Sequence, residues 1–471
     1  MRLKDKKTKI IATISDLKCD IEFLRELYEN GMNAVRLNTA HQTPEATLKI
    51  IENIRKVSDR IALIVDTKGP EIRTSKVQET IIVKKGDTIK VAGGAKEYIS
   101  TRDLIYVDYK NFSKEIPKNT SFLIDDGELE MKAIKKRGDF LVCKVMNDGA
   151  IKSYKSINVP DAHINLPSLT PKDKNYILFA IKNEIDFISH SFVRNKEDVL
   201  AIQKILDKYK SPIKILAKIE NQEGVDNIDE ILECVYGIII ARGDLAVEIP
   251  AEDVPIIQKR IIKKCVACQK PVITATQILH SMIKNPRPTR AEVSDIANAI
   301  LDGTDALWLS GETAYGDYPI EAVKVMAKTA KKAEAEKIIS KDIEVHSDNP
   351  IVDYLAKAAV HATEELPIKE IIISSHSAFS AEVIASYRGK AKIFVKCFDK
   401  RRVRELALTY GVNAHYLDVK KIKKPLINHI LETSVKREKL SKEDLIIFLS
   451  NEDKEKLITN SMEICEVGKY L

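Results

Sequence analysis

Eight short runs of apolar, largely β-branched residues, spaced by amphipathic stretches, set the tightest limit on how this 471-residue chain can fold. They are KIIATI (9–14), AVRLN (34–38), ALIVDT (62–67), DFISHS (186–191), KILAKIE (214–220), GIIIARGD (237–244), VITATQ (272–277) and ALWLS (306–310). Helical patterns lie near 20–30, 44–57, 171–183, 195–208, 225–234, 253–268, 289–301 and 319–335. Strands that read as near-continuous apolar runs belong to parallel sheets covered on both faces. With residues 74–159 set aside, about 250 residues remain, the usual size of a (β/α)8 TIM barrel. We therefore expect that barrel over 1–73 and 160–335. Helix starts agree: Thr289 and Glu292 form a capping box, and Pro319 suits a first helical turn.

Residues 74–159 have another rhythm. TIIVKKGDTIKV, TSFLIDDGELEMKAI and DFLVCKVMNDG alternate around KGD, DDG and NDG turn signals. This predicts a small inserted antiparallel β-barrel domain. Set between a barrel strand and its helix, it hangs over the end where barrel active sites form, as a lid would. From 336 to 471 the runs KEIIISS, KIFVKC and LIIFLSN alternate with helices, predicting a separate C-terminal α/β domain.

The charge balance narrows function less. Net charge is +7 on 44% hydrophobic content, the pattern of a mixed, solvated surface. No basic stretch is interleaved with aromatics, so no nucleic-acid partner is expected. No apolar run is long enough for a membrane span, and MRLKDKKTKIIATIS lacks the long apolar core of a signal peptide. Cys265 and Cys268 are read as one buried helix face rather than half of a zinc site. These features point to a reduced, cytoplasmic protein.

In such a barrel the chemistry sits at the C-terminal strand ends. Arg36 and Asn38 end the second run, Asp66 and Thr67 the third, and Lys218 and Glu220 the fifth. Arg242, Gly243 and Asp244 end the sixth, Thr276 the seventh and Ser310 the eighth. Six strands thus deliver polar groups to one mouth. Glu220 and Asp244 are hard oxygen donors suited to Mg²⁺ or Mn²⁺. Lys218 stands two residues before Glu220, so both side chains leave the strand on one side. A cation beside a metal-binding carboxylate suits an anionic substrate, and Arg36 and Arg73 add guanidinium forks that match phosphate. No GxxxxGK[ST], GxGxxG, HExxH or GxSxG motif occurs, which argues against P-loop, dinucleotide, zincin and α/β-hydrolase chemistry.

These motifs resemble the pyruvate kinase family. The resemblance rests on Arg36-Leu37-Asn38, the block Asp66–Thr74 (DTKGPEIRT), Leu216–Asn221 (LAKIEN) and Ala241–Leu245 (ARGDL). Ala275-Thr276-Gln277, Pro286–Glu292 (PRPTRAE) and Leu309–Ala314 (LSGETA) continue it in the family's order. It implies phosphoryl transfer from phosphoenolpyruvate to ADP. Lys218 would stabilise the phosphoryl group in flight, and Glu220 and Asp244 would hold the divalent ion. The backbone of Arg242, Gly243 and Asp244, with Thr276, would bind the substrate carboxylate, and Arg36 and Arg73 would grip phosphates. Asn38, His41 and Lys155 would contact the nucleotide. Thr276 and Ser310 would help deliver a proton. Asn38, Asp66 and Thr67 would hold K⁺, with Ala40 where the family usually has a serine ligand, and the family's tetramer would be expected. Ser375, Ser377 and Ser380 match a loop that binds sugar phosphates in regulated members, but Ala378 and Phe379 stand where a glycine and a basic residue are usual, so a serine-rich turn without an effector is expected there. Two other readings compete. One is a Mg²⁺-dependent carbon–carbon lyase acting on pyruvate or another 2-oxo acid. The other is a catalytically idle homologue that senses or scaffolds.

Overall fold

The computed structural model describes residues 5–40, 42–160, 162, 164–336, 345–375, 378–418, 420, 426–438, 440–450 and 459–470. Eight parallel strands close into a barrel: β1 (Lys9–Ile14), β2 (Ala34–Asn38), β3 (Ala62–Asp66), β4 (Phe187–His190), β5 (Lys214–Ile219), β6 (Gly237–Ala241), β7 (Val272–Ala275) and β8 (Ala306–Leu309). Each pairs with its neighbours in sequence, and β1 pairs with both β2 and β8. Ile11, Ile64, Phe187, Leu216, Ile239, Ile273 and Trp308 fill the interior. A second apolar layer joins the outward strand faces to the surrounding helices. Both layers follow from strands buried on two sides, which is why they read as unbroken apolar runs.

Several strands stop short of the predicted runs. β6 ends at Ala241, and Arg242–Glu248 is already helix, so Arg242, Gly243 and Asp244 form its first turn. An acidic residue there meets the positive end of the helix dipole. β7 ends at Ala275 because Thr276 and Gln277 take left-handed backbone, with φ of 67° and 52°. Thr67, Glu220 and Ser310 likewise sit just past their strands. The pattern at 225–234 is two helices, Gln222–Asp226 and Ile228–Cys234, that meet at Asn227. Cys265 is buried as expected, but Cys268 caps its helix and is exposed. The helical phase ends one residue too early to carry it inward.

The insert is a seven-stranded sheet with Phe112 and Phe122 packed edge-to-face in its core. Its two edges meet through a bridge between Thr74 and Val107, which makes it barrel-like. One pair, Thr88–Gly93 with Leu104–Val107, is parallel, and the others are antiparallel. The sheet includes Ile72–Arg73, whose partner is Ser156–Asn158. The chain therefore enters and leaves the insert on adjacent antiparallel strands.

The C-terminal sheet holds β9 (Ile368–Ser375), β10 (Lys392–Cys397), β11 (Val412–Tyr416), β12 (Leu445–Ser450) and β13 (Ser461–Glu466), in the order β11-β10-β9-β12-β13. It docks against the N-terminal face of the barrel. Buried Arg388 grips both oxygens of Asp305 at 2.9 and 2.7 Å, just before β8. Arg404 Nε donates to Asp186, just before β4, at 2.6 Å. Leu408 plugs the floor of the barrel interior. Of the predicted serine loop, Ser377 lies outside the described residues, Ser375 closes β9, and Ser380 is buried and bonded to Thr459 at 2.8 Å. No helix among the described residues is long and apolar enough to cross a membrane.

Candidate active site

The barrel mouth is built around Lys218. Its Nζ lies 2.7 Å from Glu220 Oε1 and 3.9 Å from Asp66 Oδ1, and it donates to Ser191 Oγ at 3.1 Å. The two-residue spacing on β5 thus puts ammonium and carboxylate on one side, as the strand period requires. Arg36, one strand further round, donates to Asp66 through Nε at 3.1 Å and through Nη2. Below it lies the Trp308 ring, 5.6 Å from the guanidinium, with Trp308 Nε1 bonded to Thr13. Trp308 therefore packs, and also floors the cation cluster.

Charge in this cluster is nearly matched. Burial works against the Lys218 charge, yet Asp66, Glu220 and Asp244 hold its pKa above the ordinary value. Burial would raise Asp66, but Lys218 and Arg36 keep it below the usual carboxylate range. Glu220 goes the other way. Burial pushes it up to about 7, Lys218 pulls it down, and the nearby Asp244 charge adds to the rise. Glu220 is thus a carboxylate short of positive charge, despite accepting from Phe192 N at 2.6 Å.

A divalent cation fits that shortage. Glu220 and exposed Asp244 offer hard oxygens near enough for the charge of one to act on the other. Among the described residues no group of three or more His, Cys, Asp or Glu could hold a metal, so substrate oxygens and water would complete the shell. A monovalent cation fits less fully. Asp66 Oδ1 is buried with no hydrogen bond, as a ligand oxygen awaiting a cation would be. Asn38 Oδ1 instead accepts from Ala40 N at 3.2 Å, and the Ala40 side chain brings no oxygen. Thr67 O already accepts from Ser191 Oγ at 2.7 Å.

Opposite the cluster, Gly243 N donates to Thr276 Oγ1 at 2.6 Å. The left-handed turn at 276–277 aims this hydroxyl back at the first turn of the helix after β6. A Cβ on Gly243 would stand 3.2 Å from the same oxygen, tighter than an ordinary contact, so the hydroxyl would have to shift to admit it. The Arg242 side chain is engaged by its neighbours. It pairs with both oxygens of Asp295 at 2.7 and 2.8 Å and donates to Thr276 O at 2.9 Å. Its contribution at the mouth is backbone position.

The remaining expected residues are more scattered. Arg73 lies on the lid side, held by Glu71 at 2.8 and 3.0 Å and by Tyr154 O at 2.7 Å. Lys155, also on the lid, pairs with Asp125 at 2.7 Å, which raises its pKa. His41 lies outside the described residues. Ser310 N donates to Glu312 at 2.8 Å. Sequence reasoning missed Ser191, Asp295 and Glu312 as parts of the site. The last stands in LSGETA and Asp295 three residues after PRPTRAE, so the motifs carried a signal without a role. A cleft of about 170 Å³ separates lid and barrel, lined by Glu71, Asp126, Asn158, Phe192 and Asp244 among others. Asn158 bridges it to Glu248 at 2.7 Å.

Comparison with known proteins gives one answer. The family described as the barrel domain of pyruvate kinase matches residues 5–323, and the one described as its alpha/beta domain matches 353–465. A pyruvate kinase of Borreliella burgdorferi is 52% identical over 417 residues, covering 88% of this chain and 87% of that protein. A Staphylococcus epidermidis pyruvate kinase is 42% identical, covering 98% of this chain and 81% of that protein. A solved pyruvate kinase from Cryptosporidium parvum superposes with a TM-score of 0.92 at 34% identity, covering 99% of this chain and 97% of the other.

Proposed function

The chain belongs to the pyruvate kinase family, and from that premise we propose how its own residues carry out phosphoryl transfer from phosphoenolpyruvate to ADP, yielding pyruvate and ATP. The single observation that carries this reading is the Lys218–Glu220–Asp66–Arg36 cluster at one barrel mouth. The lyase alternative is not favoured, since a lyase has no evident use for a second phosphate-sized fork or a lid.

Phosphoryl transfer needs positioning and neutralisation of negative charge spread over the moving group. Lys218 is a half-buried cation held charged by three carboxylates, so its charge is in place before substrate arrives. Arg36 presents a planar fork beside it and is fixed in direction by Asp66. The substrate carboxylate takes the slot formed by the backbone of Gly243 and Asp244, and Thr276 Oγ1, which now fills that slot, is released to it. Glu220 and Asp244 would hold a divalent ion, Mg²⁺ or Mn²⁺, which when bound would supply added positive charge to offset that of the substrate. K⁺ near Asp66, Asn38 and Thr67 would add to the same field. Thr276 and Ser310 flank the space where enolpyruvate is left and offer hydroxyls for the proton it must take up. Asn38, His41, Arg73 and Lys155 are read as the nucleotide side, with Lys155 exchanging Asp125 for an ADP phosphate. Lid closure keeps water from the phosphoryl group.

The reading also takes the enzyme as cytoplasmic and as a homotetramer. Ile351 and Tyr354, 60% and 75% exposed on helix Pro350–Glu365, support self-association. Light scattering would test it.

The test is ADP-dependent formation of pyruvate from phosphoenolpyruvate. Lys218→Met should lower turnover by about 10²–10³-fold or more, the scale of removing one preorganised charge. Unchanged turnover in that variant would sink the mechanism.

A further inference from the structure

We propose that the cavity between the N-terminal face of the barrel and the C-terminal domain is a binding site for a small molecule bearing a phosphate or carboxylate group. The cavity measures about 500 Å³, within the range of small-molecule sites. It lies at the opposite end of the barrel from Lys218, beneath the starts of β5, β6 and β7. Its wall carries Lys214, Tyr236, Gln269 and Lys270 from the barrel and Phe379 and Glu382 from the C-terminal domain.

The wall carries donors that the protein leaves unused. Lys214 Nζ makes no hydrogen bond or ion pair among the described residues and rests 5.8 Å from the centre of the Tyr236 ring. Gln269 Nε2 is buried with no hydrogen-bond partner. A buried donor left unpaired costs on the order of 1–3 kcal/mol, a cost that an acceptor from a ligand would remove. Lys270 Nζ reaches only the carbonyl of Val235, at 2.6 Å, and has no carboxylate within ion-pair distance among the described residues.

The carboxylate on the inner wall does not take up these donors. Tyr236 Oη donates to Glu382 Oε1 at 2.6 Å, and the Lys214 charge acts on the same carboxylate without an ion-pair contact. Glu233 and Asp348 are exposed at the edge. An anion entering the cavity therefore meets two lysines and an unpaired amide beside one carboxylate that Tyr236 already engages. Because both domains line the cavity, an occupant would also tie the C-terminal domain to the barrel.

Cys268 supplies a local probe, since it lines this cavity, is exposed, and lies far from the mouth that binds substrate. The experiment follows modification of Cys268 by a thiol reagent, read by peptide mass spectrometry on the full chain, with pyrophosphate and with citrate as probes. Either anion should slow modification saturably, by at least about threefold when the site is mostly filled. The anion that protects better identifies the phosphate or the carboxylate source. In Lys214→Gln combined with Gln269→Asn, which keeps a residue tolerant of the left-handed φ of 59°, protection should fall about tenfold in apparent affinity. Lys214→Gln alone serves if the double variant melts early. No protection by either anion up to about 10 mM, or equal protection in the variants, overturns the assignment.

Discussion

Glu312 illustrates how single residues hold this site. It is 3% exposed, and its two oxygens accept from Ser310 N at 2.8 Å and from Leu279 N at 3.1 Å. One carboxylate thus ties the loop after β8 to the loop after β7. Glu312→Gln keeps the shape but turns one acceptor into a donor facing another N–H. We expect a loss of about 1–3 kcal/mol in stability and a lower turnover at unchanged overall fold. Urea unfolding together with initial rates would check it, and a variant equal to the parent in both would discount the role. Lys218, Glu220, Asp66 and Arg36 were legible because strand period and strand ends fix where they point. Arg242 was legible as a position but not in direction, since nothing in its spacing reveals that Asp295 claims its guanidinium. Lys155 and Arg73 were found, but their pairing with Asp125 and Glu71 depends on a lid fold that alternation alone does not place.

At the scale of elements, the segment running into β1 is unusual in burying Lys6 and Lys9, and half-burying Lys7, against the C-terminal domain and its neighbours. Lys6 Nζ donates to Asn33 Oδ1 at 2.8 Å, Lys7 Nζ to Gly389 O at 2.9 Å, and Lys9 Nζ to Val412 O. Burial is the chief cause that pulls Lys6 down to about 7 and Lys7 and Lys9 to about 8. Their unfolded value is 10.5. Between these values the unfolded chain binds more protons than the folded one, so stability rises with pH. The melting temperature should therefore climb from about pH 7 toward pH 10, and Lys6→Met should flatten the slope. A flat or falling profile in the parent over that range would contradict it. The eight strands and their helices were legible almost residue by residue, because apolar runs and caps both mark them. The overshoot at 242–244 arose because a Gly-Asp pair looks like a strand end even when a helix has already begun. The two parallel pairs in the lid, Thr88–Gly93 with Leu104–Val107 and Lys76–Val77 with Ile99–Ser100, have no local signal at all.

For the whole molecule, the main question is what makes barrel and C-terminal domain act together. Arg388 is almost fully buried, holds Asp305 two-pronged, donates to Gly303 O at 2.8 Å and stacks 4.9 Å from the Tyr410 ring centre. Arg388→Met would leave Asp305 charged and buried without its partner, a loss of about 3–5 kcal/mol. Denaturant unfolding should then show the C-terminal domain melting ahead of the barrel, where the parent gives one transition. A variant within about 0.5 kcal/mol of the parent would show that the pair does not couple the domains. The three-part division was visible in the sequence through changes of rhythm. The docking surface was not, because its residues are scattered and gain meaning only when folded.

The paired entry and exit of the insert reach beyond catalysis. Ile72 opposes Ile157 and Arg73 opposes Ser156, so the two points where the chain crosses from barrel to lid lie about 5 Å apart. A segment whose ends nearly touch behaves as a cassette: the host barrel would close equally well over a short turn. Such a module can be removed, lengthened or traded for another without moving a single barrel strand. Evolution, or an engineer, could therefore redesign what covers the mouth while leaving Lys218, Glu220 and Asp66 in place, with Arg73 and Lys155 changing along with the cover.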